Sequence, residues 1–164
     1  MKKVWLAIKD YVYIIIVVIL IRTLFVTPAI VSGASMDNTL ENGQLVIINK
    51  FIYGFKDIER FDIVVVKNKV DKDKIIKRVI GLPNERIEYI NNELYINGEK
   101  LETGYNFPET NDFSTETGEN EYFVLGDNRT VSKDSRMLGN FTETEIVGKV
   151  DLRLYPFNKI GLVK

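Results

Sequence analysis

The sequence contains no histidine and no cysteine among its 164 residues. The first absence removes every Ser-His-Asp triad and every imidazole metal ligand. The second removes disulfides, thiol nucleophiles and cysteine-based zinc sites. It leaves the redox compartment open, because an extracytoplasmic domain need not carry disulfides. An excess of charge of either sign is also missing: 22 basic residues stand against 23 acidic ones, a net charge of −1. No basic field is available to hold nucleic acid, so no nucleic-acid partner is expected. No nucleotide-binding glycine fingerprint occurs, and neither a cofactor nor a metal is expected. If such a chain performs acyl transfer, its nucleophile is Ser or Thr and its base is Lys or a carboxylate.

What is present begins with an apolar block. Lys2, Lys3 and Lys9 precede the run from Tyr11 to Ile21, which Arg22 interrupts before Thr23–Val26 and Pro28. From Val4 to Val26 the chain is long enough to span about 30 Å of hydrocarbon as a helix, with Arg22 snorkelling to the headgroups. Positive charge at the start places Met1–Lys9 in the cytoplasm and everything after Pro28 outside. The expected organisation is a short cytoplasmic N-terminus and transmembrane anchor over 1–27, then an extracytoplasmic β domain over 28–164. This is a single-pass arrangement in the cytoplasmic membrane, with membrane lipid as a partner. The competing reading is a cleaved signal peptide ending near Thr27-Pro-Ala29; Arg22 sits where such a signal should be apolar or small.

After Pro28 the chain reads as strands: Gln44–Phe51, Asp62–Lys67, Ile75–Gly81, Arg86–Ile90, Glu93–Ile96, Glu121–Leu125 and Val147–Leu154. Asn91-Asn92 tolerates positive φ and predicts a tight hairpin. The near-continuous Val/Ile runs imply strands buried on both faces or in a small barrel, so the fold class is mostly β behind one transmembrane helix. Between Asn97 and Asn120 the pattern turns polar, and seven acids face one lysine within Glu99–Glu121. A solvated loop or irregular hairpin is expected there.

Three segments can carry chemistry. Val31-Ser-Gly-Ala-Ser35-Met-Asp-Asn-Thr-Leu40 places a serine among small residues, where backbone amides can approach a substrate carbonyl. The amide of Ser35 is a candidate oxyanion donor, although a serine-containing linker has the same composition. In Ile75-Ile-Lys77-Arg78-Val79, alternation puts Lys77 on one face with Ile75 and Val79, opposite Ile76 and Arg78. Such a lysine is either an edge-strand gatekeeper or a desolvated amine able to take a serine proton. Gly126-Asp-Asn-Arg-Thr-Val-Ser-Lys-Asp-Ser-Arg136 is either a polar surface loop or a buried network of Asp127, Arg129, Asp134 and Arg136 that holds Ser132 near the lysine.

Together these segments resemble the bacterial type I signal peptidases, membrane-bound Ser-Lys serine endopeptidases that remove signal peptides from exported preproteins. Ser-Gly-Ala-Ser35-Met-Asp is similar to the nucleophile box, and Phe61–Lys67 to the strand that follows it. Ile76-Lys77-Arg78-Val-Ile-Gly-Leu-Pro83 is similar to the lysine box, and Gly126–Arg136 to the last one. Tyr155-Pro-Phe157 and Gly161 match the C-terminal end. The resemblance implies Ser35 as nucleophile, Lys77 as general base and Ser132 as the hydroxyl orienting the lysine. It makes Asp134, Arg136 and Arg78 supporting residues, and it implies a mostly antiparallel β fold, an antiparallel β-sheet or small barrel, with the active site on a surface near the membrane. It also implies preprotein signal peptides and the secretory translocase as partners, with specialisation for a few substrates such as pilins left open.

The chain departs from the family pattern at three places. Asn38 stands where a proline is usual, Asn84-Glu85 stands for Gly-Asp, and Gly33 offers no hydroxyl to an oxyanion hole. Asn84 tolerates positive φ and Glu85 keeps the charge, so that turn is expected to survive. Two other function classes compete: a non-catalytic homologue acting as a scaffold or chaperone in assembly of exported surface proteins, and a self-cleaving repressor-like regulator. The apolar block and the lack of a helix-turn-helix pattern weigh against the latter.

Overall fold

The computed structural model describes residues 9–19, 25–71, 73–105 and 107–163. A helix, α1, is described over 9–19, and its Tyr11, Ile14, Ile15, Ile16, Val18 and Ile19 side chains are exposed. No helix among the described residues is long and apolar enough to cross a membrane. The span expected from Val4 to Val26 falls partly on 1–8 and 20–24, which lie outside the described residues.

The strands follow in order: β1 (Val26–Ile30), β2 (Leu45–Asn49), β3 (Ile63–Lys67), β4 (Lys74–Gly81), β5 (Arg86–Ile90) and β6 (Glu93–Ile96). Then come β7 (Glu99–Lys100), β8 (Phe113–Glu116), β9 (Glu121–Leu125), the short helix α2 (Ser135–Leu138), β10 (Phe141–Thr142), β11 (Ile146–Tyr155) and β12 (Gly161–Leu162). The main sheet has the order β1-β2-β11-β3-β4-β9-β10, with β12 on β11, and a smaller sheet runs β7-β6-β5-β8. Pairings in both are antiparallel, as the resemblance implies. The main sheet curls without closing: β1 and β4, with three strands between them, line one cleft, yet β1 and β10 do not pair.

The core explains the curl. All of Ile63–Val66 is buried, and alternation sends Ile63 and Val65 into one cluster with Val31, Met36, Leu40, Val46, Ile48 and Val150. Val64 and Val66 enter a second cluster on the other face with Val79, Tyr122, Val124 and Phe141. A third cluster, including Ile80, Ile87, Leu94 and Phe123, joins the main sheet to the small one. Asn91 and Asn92 sit at φ 51° and 64° in the β5–β6 hairpin, the conformation their sequence predicts.

Two expectations are corrected. Val26 and Thr27 are not the end of a helix; they pair with Asn49 and Ile48 in β1. Pro28 fits there because β1 is an edge strand, where no amide is needed on the outer side. The expectation for 97–120, a solvated loop or irregular hairpin, is corrected in part: the segment supplies β7, which pairs with β6, and β8, which pairs with β5. Its Thr110 and Thr117 are buried.

Gly148 marks the tightest packing in the sheet. A Cβ there would lie 2.4 Å from the carbonyl oxygen of Asn49 and 2.9 Å from Cα of Lys50, backbone atoms that cannot swing away. Gly148→Ala is expected to destabilise the fold by about 1–3 kcal/mol. Urea denaturation of the purified chain checks this; an unchanged midpoint would remove the packing argument.

Candidate active site

Ser35 sits in a single turn immediately after β1. The carbonyl of Ala34 accepts from the amide of Asp37, and that of Met36 accepts from Thr39 and Leu40. Met36 and Leu40 are buried in the first core cluster and pin the turn from below. Gly33, at φ 90°, has open space where a Cβ would be, so its backbone conformation is what calls for glycine there. Asn38 adopts φ 85°, which a proline ring fixed near about −65° cannot reach. The turn is therefore built differently from one carrying proline at that position. The amide of Ser35 donates to no other described residue.

Lys77 reaches this turn from the middle of β4. Its Nζ lies 2.7 Å from Ser35 Oγ, and the residue is 2% exposed. Its neighbours along the strand are buried or half-buried, so the ammonium loses most of its hydration. That burial pushes the amine down from 10.5 to about 8, with Asp134 and Asp127 opposing and Arg136 assisting. The result is a lysine with a substantial neutral fraction near neutral pH, in contact with a hydroxyl. A neutral amine in that position can accept the hydroxyl proton.

The adjacent Arg78 is also buried, but it cannot shed its proton and must be paired. Its Nε and Nη2 donate to Asp127 at 2.8 and 2.7 Å, in bidentate geometry. Nη1 donates to the carbonyl of Phe61 and Nη2 to Thr39 Oγ1. Thr39 Oγ1 in turn donates to Asp127. The rings of Tyr105 and Phe107 cover the guanidinium at 4.5 and 5.7 Å. Arg129 bonds the carbonyl of Gly126, the hydroxyl of Tyr89 and Thr110, and lies 4.3 Å from the Phe107 ring.

The loop from Gly126 to Arg136 packs directly beneath Ser35. The amide of Asn128 donates to the carbonyl of Ser35 at 3.1 Å. Asp134, fully buried, caps α2 and accepts from the Gly126 amide and from Arg136 Nε and Nη2. Burial alone would raise its carboxyl, yet the Arg136 side chain and Gly126 amide outweigh this and hold it below the usual carboxylate range. A Cβ on Gly126 would lie 2.5 Å from the carbonyl oxygen of Ser35 and 2.2 Å from Ser132 Oγ. Only glycine lets the two segments meet.

The structure thus brings together Ser35, Lys77, Ser132, Asp134, Arg136 and, next along β4, Arg78. One expected contact is absent. Ser132 is buried, but its Oγ has no hydrogen-bond partner and does not reach the Lys77 amine. The hydroxyl is turned against Gly126; it lies near the Asp134 carboxylate and helps keep it ionised, without hydrogen-bond geometry. Sequence reasoning also missed Thr39, Tyr89, Tyr105, Phe107 and Thr110, which enclose the two arginines. The signal was the pair of aromatics inside an acidic stretch, which composition alone does not reveal. Asn84, at φ 60°, keeps its turn, and Glu85 forms a bidentate pair with Arg60 at 2.8 and 2.6 Å.

Two stability outcomes follow. The amine of Lys77 titrates near 8 when folded against 10.5 ordinarily, so its protonation costs the folded state on the order of 3 kcal/mol. That cost is full below pH 8, fades as pH rises toward 10.5 and is absent above it. Lys77→Met is therefore expected to be more stable than the native chain by about 1–3 kcal/mol at pH 7, the gain shrinking toward pH 10. Denaturant curves at both pH values measure it, and equal stability at pH 7 would contradict the account. Conversely, Asp127→Ala leaves the buried guanidinium of Arg78 without its carboxylate, and should cost about 3–5 kcal/mol. The double variant Arg78→Met, Asp127→Leu should recover most of that loss; no recovery would mean the ion pair is not its source.

Comparison with known proteins places this arrangement. The family model described as signal peptidase, peptidase S26, matches residues 4–155. Signal peptidase I of Bacillus caldolyticus is 43% identical, over 88% of this chain and 88% of that protein. Signal peptidase IB of Staphylococcus aureus strain Mu50 is 36% identical over 88% of this chain and 85% of its own length. The crystal structure of a signal peptidase I from Enterococcus faecalis V583 superposes with a TM-score of 0.52 at 35% identity, covering 58% of this chain and 97% of that one. The chain belongs to the signal peptidase family, peptidase S26, and is a serine endopeptidase of the type I signal peptidase class.

Proposed function

We propose that Ser35 is the nucleophile and Lys77 its general base in removal of signal peptides from exported preproteins. The observation that carries this reading is the 2.7 Å contact between Lys77 Nζ and Ser35 Oγ, made by a buried lysine held near 8. Ser35 Oγ attacks the scissile carbonyl carbon while Nζ takes the hydroxyl proton. The oxyanion forms beside the Ser35 amide, whose hydrogen is uncommitted among the described residues. The resulting ammonium gives its proton to the leaving amine. Once neutral again, it activates the water that hydrolyses the acyl-enzyme.

A cleft of about 250 Å³ opens beside Ser35, lined by Ala29, Ile30, Val31, Met36, Val65 and Ile76 among others. It suits small apolar side chains preceding the cut. Its two walls are strand edges: among the described residues β1 pairs only with β2, and Lys74–Lys77 of β4 have a partner only in β3. An extended cleavage segment can hydrogen-bond to these edges by β-addition. Loss of the orienting bond from Ser132 leaves the lysine positioned by its strand and by the packed loop beneath Ser35.

A membrane-borne enzyme fits the apolar surface. The exposed side chains of α1 form an apolar rod that water does not tolerate, consistent with a single-pass anchor whose positive end stays inside. Phe25, Phe51 and Phe55, in edge-to-face contact, and Ile30, Tyr155, Phe157 and Ile160 add exposed apolar groups at the two ends of β1. These would rest at the bilayer surface and keep the catalytic domain, which begins at β1, beside its substrate's anchor.

With detergent-solubilised full chain and a preprotein, Ser35→Ala and Lys77→Ala should each lower turnover by about 10²–10⁴-fold or more. For the native chain, kcat/KM should rise with pH until about 8 and level above it, because only the neutral amine acts as base. Full activity in Lys77→Ala, or an acid limb unrelated to this lysine, would sink the assignment.

A further inference from the structure

We propose that Lys67 and Lys74 form an electrostatic subsite that selects substrates with an acidic side chain upstream of the cut. This rests on the cleft assignment above. In the β3–β4 pair, Val65 lies opposite Ile76 and Lys67 opposite Lys74. Side chains two residues apart share a face, so the apolar Val65–Ile76 pair of the cleft is followed outward by a pair of lysines. Lys74 itself lines the cleft, and both lysines are exposed.

The arrangement is costly as it stands. Like charges directly opposite on antiparallel strands repel, and natural sheets pair opposite signs instead. Yet neither ammonium has an ion pair or side-chain hydrogen bond to a described residue. The acids nearest in sequence do not relieve it: Asp71 accepts from the Asn68 side chain, and Asp73 accepts from the Asn68 amide through its backbone carbonyl. Lysines on an edge also discourage strand pairing, but an edge that receives a substrate strand needs that pairing. A carboxylate supplied by the substrate resolves both points, since it bridges the two ammoniums only when the peptide is seated.

Position follows from strand geometry. Lys74 precedes Lys77 by three residues, about 10 Å of strand. A peptide paired along this edge, with its scissile carbonyl at Ser35, therefore presents to Lys74 a side chain roughly three to five residues before the cut. Upstream glutamate or aspartate is attracted there, and lysine or arginine repelled.

The test uses the full chain in neutral detergent and matched preproteins carrying Glu, Gln or Lys at each position across that window. The native chain should cleave the best-placed Glu substrate about tenfold more efficiently than its Lys counterpart, mostly through KM. The preference should shrink as salt rises past about 0.5 M. In the double variant Lys67→Glu, Lys74→Glu the order should invert. The Glu-to-Lys ratio is read within each variant, so it does not depend on how much activity remains, and a thermal melt confirms folding. Cleavage with a flat charge series, or the same order in both proteins, overturns the subsite while leaving the peptidase reading intact. An effect that is the same for every substrate and appears only with vesicles containing anionic lipid also overturns it, in favour of headgroup binding. Failure of the native chain on every preprotein sinks the underlying reading and the subsite with it.

Discussion

Strand β4 buries a lysine and an arginine at consecutive positions, and each makes a different demand on its surroundings. An arginine stays charged at any pH the protein meets, so Arg78 must be given a carboxylate, a hydroxyl and a carbonyl before the chain can close over it. A lysine can instead surrender its proton, and among the described residues Lys77 is given only a serine hydroxyl to bond. Strand alternation makes the two fates compatible by sending neighbouring side chains to opposite faces. The Gly126–Arg136 loop serves both. Asp127 satisfies the arginine, while Asp134 and Arg136, bonded to each other, act on the lysine with opposing fields.

Meeting the arginine's demand involves backbone strain. Phe61 adopts φ 71°, an unusual value for a bulky residue that costs about 1–2 kcal/mol. In that conformation its carbonyl accepts from Arg78 Nη1, and its ring packs 5.1 Å from Tyr105. The small sheet then has a clear purpose. It carries Tyr89, and the stretch beside it carries Tyr105 and Phe107, so that rings rather than water cover both buried guanidiniums. Covering them keeps the interior behind the lysine dry, which is the condition for its low affinity for a proton.

Much of the fold was legible because its signals are local. The Val/Ile run of β3 declared burial on both faces, and Asn91-Asn92 declared its turn. The Ser35 turn, the Lys77 strand and the charged loop were each visible as segments, though no segment alone said that they meet. What escaped was tertiary. β1 reads as a continuation of the apolar block before it, because strand and helix interiors use the same residues, and only pairing with β2 decides. The stretch 97–120 hides Tyr105, Phe107 and Thr110 among acids whose side chains face outward. The position of the Ser132 hydroxyl depends on how closely Gly126 approaches, a matter of tenths of an ångström that no composition encodes.

The unpaired edges of β1 and β4 carry a consequence for timing. Main-chain amides and carbonyls are shared by all peptides, but they are available only in a segment that is not yet folded. A polypeptide whose processing site has already joined one of its own sheets has spent those groups and cannot be read. Recognition by edge pairing, as proposed above, would act as a clock: maturation would have to come before the passenger protein folds around its new N-terminus, and a fast-folding passenger would have to leave that stretch outside its native core.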